Sequence, residues 1–598
     1  MRVIGTICGG LVMAVAMAQS LVALDFSFET PGASEDLRAI LRGASLTREA
    51  SQAKTPDAQD LFASARADYA RLLGALYDQG YYSGRISIRV DGREAAAIAP
   101  MDAPDTINAI RVTIEPGPQF HFGVAEIAPL ARDTELPQGF ATGASARSGL
   151  IVEAATTGVE GWRNQGHAKA KVSSQSLTAD HRTQILDAHI GLAPGPQLSF
   201  GKMSIDGYER LRPKRLVEIA GFPTGERFDP AKLEEVRARL RRTGIFSSVT
   251  LTEDEAIGPG NTLDASLSVV EDKTRRIGFG AELASLDGLT LNGYWLHRNL
   301  FHGGERFRAE ADVSGIGGST GGLDYTLGAR LDRPATLSPD TSAYLETEMS
   351  RLNQDDYTED AFSFGLGFDH IFNPRLTGSA GVEYGWSRVE DSLGTTIFRQ
   401  IAVPLALTWD NRDNVTDATR GYYGKATLTP FVGLSGTGSG AQMTGDFRAY
   451  RGFGAEDRFV LAGRLQLGAV FGPSLEDTPR DYLFYSGGGG TVRGQPYQSL
   501  GVSILNGGTQ RTGGTQFLGL SGELRGGVTD TIGLVGFYDA GFISADGPSG
   551  TVDDWHAGAG IGLRYKTGIG PIRLDVAAPV GGDTGEGAQL YLGIGQAF

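Results

Sequence analysis

The sequence predicts a chain of two unlike halves. Tandem α+β modules run to about residue 272, and a transmembrane antiparallel β-barrel of about 16 strands follows. Three observations carry this. Helix-then-strand segments recur in the first half at a near-regular spacing. From about residue 273 they give way to segments of strict two-residue alternation. Glycine, at 86 of 598 residues, is far above its usual share, and no collagen-like triplet accounts for it.

The opening stretch "MRVIGTICGGLVMAVAMAQSLVALD" places one early positive charge, Arg2, before an apolar run and small residues. This is the pattern of a secretory signal, expected over residues 1–23, with cleavage after Ala18 or Ala23. The one cysteine, Cys8, lies inside it, so the exported remainder is expected to carry no disulfide. No later segment offers about 18 consecutive apolar residues, so no transmembrane helix is expected. That leaves membrane-spanning strands open.

From residue 24 the elements follow in order. "SEDLRAILRGASLTREA" reads as a helix, and "ARADYARLLGALYDQGYYSGRISIRV" as an amphipathic helix stopped at Gly80 and followed by a strand. "LIVEAATTGVEGWRNQGHAKAKV" repeats that shape around Gly166, and "PAKLEEVRARLRRTGIFSSVTL" repeats it around Gly244. A second mark has nearly the same period: "EPGPQFHFG" at 115–123 recurs as "APGPQLSFG" at 193–201, with Gly117 and Gly195 in equivalent turns. Three modules are expected, over 24–121, 122–200 and 201–272.

Beyond 273 the texture changes. In "ERFRAEADV", Phe307, Ala309, Ala311 and Val313 fall on one face, with Arg306, Arg308, Glu310 and Asp312 on the other. At roughly 20 residues per strand and connection, residues 273–598 hold about 16 strands, an even count suited to a barrel. A closed barrel pairs every backbone group between strands, as a bilayer demands. Glycine on a crowded inner wall and in turns explains the excess. In the closing "AQLYLGIGQAF", Leu590, Leu592, Ile594 and Phe598 are expected on one face of a last strand over 589–598. That strand would close against the first (about 275–284), with Gly593 and Gly595 weakening the pairing.

The formal net charge of −16 argues against a general nucleic-acid binder. His297 and His302 have no zinc-ligand spacing, and "DNRDNVTDATRG" (410–421) fails the calcium-loop template and reads as a turn. There is no Cys-His set, and isolated Ser, His and Asp residues without catalytic spacing are only composition, so neither catalysis, nor a metal, nor a cofactor is expected.

Residues 487–501, "GGGGTVRGQPYQSLG", lack the strand, helix and Gly-Lys-Ser/Thr of a phosphate loop. They read as a connection between barrel strands. Downstream, "GLVGFYDAGFI" puts Val535, Phe537, Asp539 and Gly541 on one face; a carboxylate does not belong in lipid, so Asp539 should point inward. Glu523, on the preceding strand, should do the same.

A Val-Arg-Gly loop motif (Val492, Arg493, Gly494) paired with Phe-x-Asp-x-Gly on a later strand (Phe537, Asp539, Gly541) resembles the Omp85 superfamily of outer-membrane translocators and insertases. "GIGLRYKTGIGPIRLDVAAPV" and "HRNLFHGGERF" resemble its barrel hairpins, and the modules resemble its POTRA domains. The departure is Gln495, where the family has an aromatic residue; Tyr497 is expected to take that place. The resemblance implies that the loop folds into the barrel and Arg493 meets Asp539 on the inner wall. It implies an outer-membrane barrel with periplasmic POTRA domains, embedded in the lipid bilayer and acting on unfolded outer-membrane clients. Three modules and the opening helices look most like the TamA family within it. That implies assembly of autotransporters with a TamB-like partner. A general barrel-assembly member, which usually carries five modules, and a two-partner secretion translocator, which usually carries two, remain alternatives. A passive porin is the alternative from another class.

Overall fold

The computed structural model describes residues 24–53, 56–319, 321–505, 510–545, 554–568 and 570–598; the expected signal segment lies outside them. Three small sheets precede a closed barrel. The first sheet, of order β1-β4-β2-β3, is built from β1 (Asp25–Glu29), β2 (Arg85–Val90), β3 (Arg93–Glu94) and β4 (Ala109–Glu115). It packs against α1 (Glu35–Ala44), α2 (Leu46–Ser51) and α3 (Ala58–Asp78), with Leu41, Leu72, Leu76, Ile88 and Val112 wholly buried. The buried Asp68 of α3 is satisfied by the start of α2, accepting from Ser45 Oγ at 2.6 Å, Leu46 N at 2.8 Å and Thr47 N at 3.0 Å. A carboxylate at a helix N-terminus meets free N–H groups and a favourable dipole.

The second sheet, β5-β7-β6, comprises β5 (His121–Ala128), β6 (Lys171–Asp180) and β7 (Ile185–Ala193), with α4 (Ser148–Asn164). The third, β8-β10-β9, comprises β8 (Ser199–Asp206), β9 (Phe246–Glu253) and β10 (Thr262–Glu271), with α5 (Pro213–Ala220) and α6 (Pro230–Arg242). β5 begins at His121 and β8 at Ser199. Gly80, Gly166 and Gly244 follow α3, α4 and α6 in the left-handed region, with φ of +81°, +94° and +66°. Gly117 and Gly195 share φ +71°, so the repeated Pro-Gly turn has one geometry.

The chain divides into two compact units, one centred on the first two sheets and one holding most of the third sheet with the barrel. Within the second unit, arginines of the third module grip the barrel's turns. Arg239 holds Asp340 through Nε (3.1 Å) and Nη2 (2.7 Å), and Arg242 Nη2 reaches the same carboxylate at 2.7 Å. Arg215, buried, donates to the carbonyls of Gly303 (3.0 Å), Pro334 and Ala335.

The barrel is antiparallel, each strand pairing with the next from Arg275–Ala284 to Gln589–Ile594. Its eighth strand is interrupted: Gly394–Ala402 and Leu405–Asp410 each pair with Leu376–Asp391 on one side and Gly421–Ser435 on the other. Pro404, which has no N–H for the ladder, sits at the break. Counted as one strand, it leaves a 16-stranded barrel. Alternation sorts the wall as the pattern predicts: Leu520, Leu524, Leu534, Tyr538 and Ile561 are exposed outside, while Glu523, Val535, Phe537 and Asp539 are buried inside. No described helix is long and apolar enough to cross a membrane, which says nothing of these strands.

Two expectations for the last strand fail. It ends at Ile594, not at 598, and Phe598 does not share the outer face of Leu590, Leu592 and Ile594. Gly595, at φ +96°, turns the chain, and Phe598 lies buried inside with Ala418, Tyr450 and Ala462. Arg525 Nη2 holds its carbonyl at 3.1 Å. Alternation cannot be extended through a left-handed glycine.

Candidate functional site

Residues 472–515 connect strand Phe459–Phe471 to strand Gln516–Gly527. The run from Gly487 lies against the inner wall. Val492 and Arg493 are 0% and 2% exposed. Arg493 meets Asp539 bidentately, Nε to Oδ2 at 2.7 Å and Nη2 to Oδ1 at 3.0 Å, while Nη1 bonds Glu523 at 2.7 Å and lies 3.4 Å from Asp575. Its guanidinium also stacks 3.6 Å from the centre of the Phe537 ring. Asp539 and Glu523 are each 1% exposed.

The cluster closes electrically. Glu523 is shared with Arg525 at 2.8 Å, and Asp575 with Arg564. Among the described residues three guanidiniums therefore face three carboxylates in a buried cluster, where an unpaired charge would be costly. Arg564 passes the network to Gln596 (2.8 Å) and thence to Asp417 (2.9 Å).

Glycine explains how a backbone comes so close to a sheet. A Cβ on Gly558 would sit 1.9 Å from the Arg493 carbonyl, and one on Gly541 would sit 2.1 Å from Ser486 Oγ. Gly494 itself has φ +93°, and its Cβ would fall 2.8 Å from the Ala578 backbone. The Gly494 N–H donates to the Tyr591 hydroxyl at 3.0 Å, and its carbonyl accepts from Gln589 at 2.9 Å. The loop is thereby tied to the last strand. Its other end reaches the turn after the first strand, where Tyr497 N donates to Asp287 at 3.2 Å.

Tyr497 does not take the place of the missing aromatic. Its side chain is 43% exposed and outside the arginine cluster. Gln495 fills its own position, 0% exposed, with Nε2 donating to the carbonyls of Ala557 (2.9 Å) and Gly581 (3.1 Å) and Oε1 accepting from Thr584 at 2.9 Å. A buried amide with three partners replaces ring packing by hydrogen bonds. His556 adds a further tie, its two ring nitrogens set between Ser486 Oγ at 2.8 Å and Thr584 Oγ1 at 2.7 Å.

Strand pairing around the barrel is unequal. The first strand pairs with the second over ten positions, from Arg275↔His297 to Ala284↔Gly288. With the last strand it pairs at only two, Leu283↔Leu592 and Ala284↔Tyr591, plus the Ser285 N–H to the Leu590 carbonyl at 3.0 Å. Gly593 contributes by its missing side chain: an Arg573–Glu282 ion pair crosses the seam over it, with Arg573 Nε 3.1 Å from where a Cβ would stand. Ile277 and Phe279 on the first strand are 63% and 87% exposed.

The structure brings Val492, Arg493, Gly494, Glu523, Phe537, Asp539 and Gly541 together. It leaves Tyr497's ring outside and places Leu590, Leu592 and Gly593 at the seam. Asp575, Arg564, Arg525, Gln589 and Tyr591 join the site unforeseen. Inward parity could have found Asp575 and Arg564, since they alternate with the exposed Ile561, Leu563, Ile572, Leu574 and Val576. Nothing local marks Tyr591 or Gln589, whose role depends on where the loop lands.

Comparison with known proteins agrees with this fold. The outer membrane protein assembly factor BamA of Nitratidesulfovibrio vulgaris is 22% identical over 446 residues, 72% of this chain and 54% of that protein. BamA of Neisseria meningitidis serogroup B is 22% identical over 478 residues, 69% of this chain and 58% of that protein. The chain thus spans little more than half the length of these relatives. Among solved structures, Haemophilus ducreyi BamA lacking POTRA domains 1–3 superposes with a TM-score of 0.60 at 16% identity, covering 80% of this chain and all of that one. CdiB from Acinetobacter baumannii does so at 0.53 and 12%, covering 80% and 90%. The model of the Omp85 superfamily domain matches residues 299–598, half of the sequence, and the chain belongs to that superfamily.

Proposed function

We propose that this protein resides in the outer membrane with its three modules in the periplasm, and that it inserts or assembles other β-barrel proteins through its own barrel seam. The observation that carries the reading is the two-position pairing between first and last strands, beside ten positions between first and second. A strand edge this poorly paired is the cheapest place in a closed wall to open, and an incoming client strand would replace the few hydrogen bonds lost. The loop braces the lumen as the seam parts: Arg493 holds the wall, Gly494 holds the last strand, and Tyr497 N holds the first hairpin. β6, exposed at every residue but Ala179 and lying at the edge of its sheet, offers a docking edge for clients or a partner.

Three modules favour a TamA-like role, the assembly and secretion of autotransporters with a TamB-like partner. A general barrel-assembly role is the second reading, favoured by the names of the curated relatives. The test is to measure outer-membrane protein levels in the native host with and without the chain. A selective fall in autotransporters supports the first reading, a collapse of all barrel proteins supports the second, and unchanged levels refute both.

A further inference from the structure

Away from the arginine loop, the inner wall of strands three to seven carries a second charged surface that has no part in the seam. Two carboxylate–glycine–carboxylate ladders cross it. Glu310 pairs in register with Gly328 and Gly328 with Glu348, across strands Arg306–Ile316, Asp324–Arg333 and Thr341–Asn353. Glu346 pairs with Gly365 and Gly365 with Glu383, continuing to strands Tyr357–Asn373 and Leu376–Asp391. Each glycine leaves a notch between two acids. A Cβ on Gly328 would meet Glu310 Cγ at 3.1 Å, and one on Gly365 would meet Glu346 Cγ at 3.3 Å and Glu383 Cγ at 3.7 Å.

These four glutamates, with Glu359 and Asp481, line one cavity. The two arginines that share it are already committed. Arg308 pairs with Glu310 at 2.7 Å, and Arg330 divides itself among Asp332, Glu346 and Asp369 at 2.5–2.8 Å. The nearby Arg480 is turned to Asp391 at 2.7 Å. Glu348, Glu359, Glu383 and Asp481 face the cavity without an ion pair among the described residues. Glu359 is 2% exposed, and among the described residues its Oε1 has no hydrogen-bond partner. Buried polar atoms are ordinarily satisfied, and an orphan beside a cavity points to something that fills it.

We propose that this wall binds a multivalent cation in the barrel lumen. Among the described residues no three acids converge as ligands of a bare ion. The cation is therefore held at a distance, either as a hydrated divalent metal, which keeps its waters readily when it is magnesium, or as a linear polyamine with several ammonium groups to set against several carboxylates.

The experiment is isothermal titration of the full-length protein, folded in detergent and freed of divalent ions, with magnesium chloride and separately with spermidine. Saturable binding of either is the expected result: magnesium alone identifies a hydrated metal, spermidine alone a polyamine. The Glu348→Gln/Glu383→Gln variant should weaken that binding at least tenfold while the heat-resistant gel mobility of the folded barrel persists. Gly365→Ala, which fills a notch and leaves every charge in place, should weaken it several-fold. Absence of saturable binding by either cation to the wild type overturns the proposal. So does binding unchanged in both variants, which would mean only diffuse attraction to an acidic protein.

Discussion

Replacing Arg493 with alanine isolates what the loop anchor contributes. Three guanidiniums balance three carboxylates in the cluster, and removal of Arg493 affects them unequally. Glu523 keeps Arg525 at 2.8 Å and Asp575 keeps Arg564, but Asp539, 1% exposed, has no other guanidinium among the described residues. The cost is therefore mainly that of one buried, uncompensated carboxylate, about 3–5 kcal/mol. Asp539→Asn should cost less, because Arg493 retains Glu523 at 2.7 Å and Asp575 at 3.4 Å. Combining the two removes the stranded charge, so the double variant should be more stable than Arg493→Ala alone, with a coupling energy of up to about 3 kcal/mol. Denaturant titration of the folded barrel, followed by its heat-modifiable gel mobility, measures all three. A loss under about 1 kcal/mol for Arg493→Ala, or costs that simply add, would refute the buried-charge reasoning.

Three further outcomes follow from the same geometry. Gly494→Ala forces a side chain onto φ +93° and into the Ala578 backbone, and should cost about 2 kcal/mol or more and expose the loop to protease. Gln495→Leu keeps the volume but removes the amide that donates to the Ala557 and Gly581 carbonyls; a loss of about 1–3 kcal/mol is expected in the same titration. At the grip between the third module and the barrel, burial opposes the charge of Asp340, but hydrogen bonds from Arg239 and Arg242 outweigh it and hold its carboxyl below the usual range. A folded value below the unfolded one means the stabilisation is complete above about pH 4 and is lost as pH falls through the folded value. The side chain is 26% exposed, so screening limits the grip to about 1–2 kcal/mol. Asp340→Asn should reproduce the acid effect at neutral pH and abolish its pH dependence, read as proteolytic release of residues 201–272 from the barrel.

What the residues disclosed in advance was whatever depends on period and parity. Asp539 and Glu523 were legible as inward because their neighbours Leu534, Tyr538 and Leu524 alternate with them, and parity is local. Gly80, Gly166 and Gly244 were legible as helix stops because a left-handed cap needs little beyond its own turn. The places where reading stopped short depend on the third dimension. Phe598 follows a left-handed Gly595 that resets the alternation, so its face could not be counted from Leu592. Gln495 looked like a defect awaiting Tyr497, yet its amide meets carbonyls 62 and 86 residues away. In the sequence alone, Gly593 and Gly595 account for a weak seam. Its larger cause is a last strand of six residues, and Gly593 instead makes room for the Arg573–Glu282 bridge.

The seam itself is the most direct test of the account. Leu283 and Leu592 are register partners across it, so Leu283→Cys with Leu592→Cys places a disulfide across the proposed point of opening. Client assembly should fail while the bond is oxidised, return on reduction, and remain normal in each single variant. Full assembly with the disulfide shown to be closed would contradict the account.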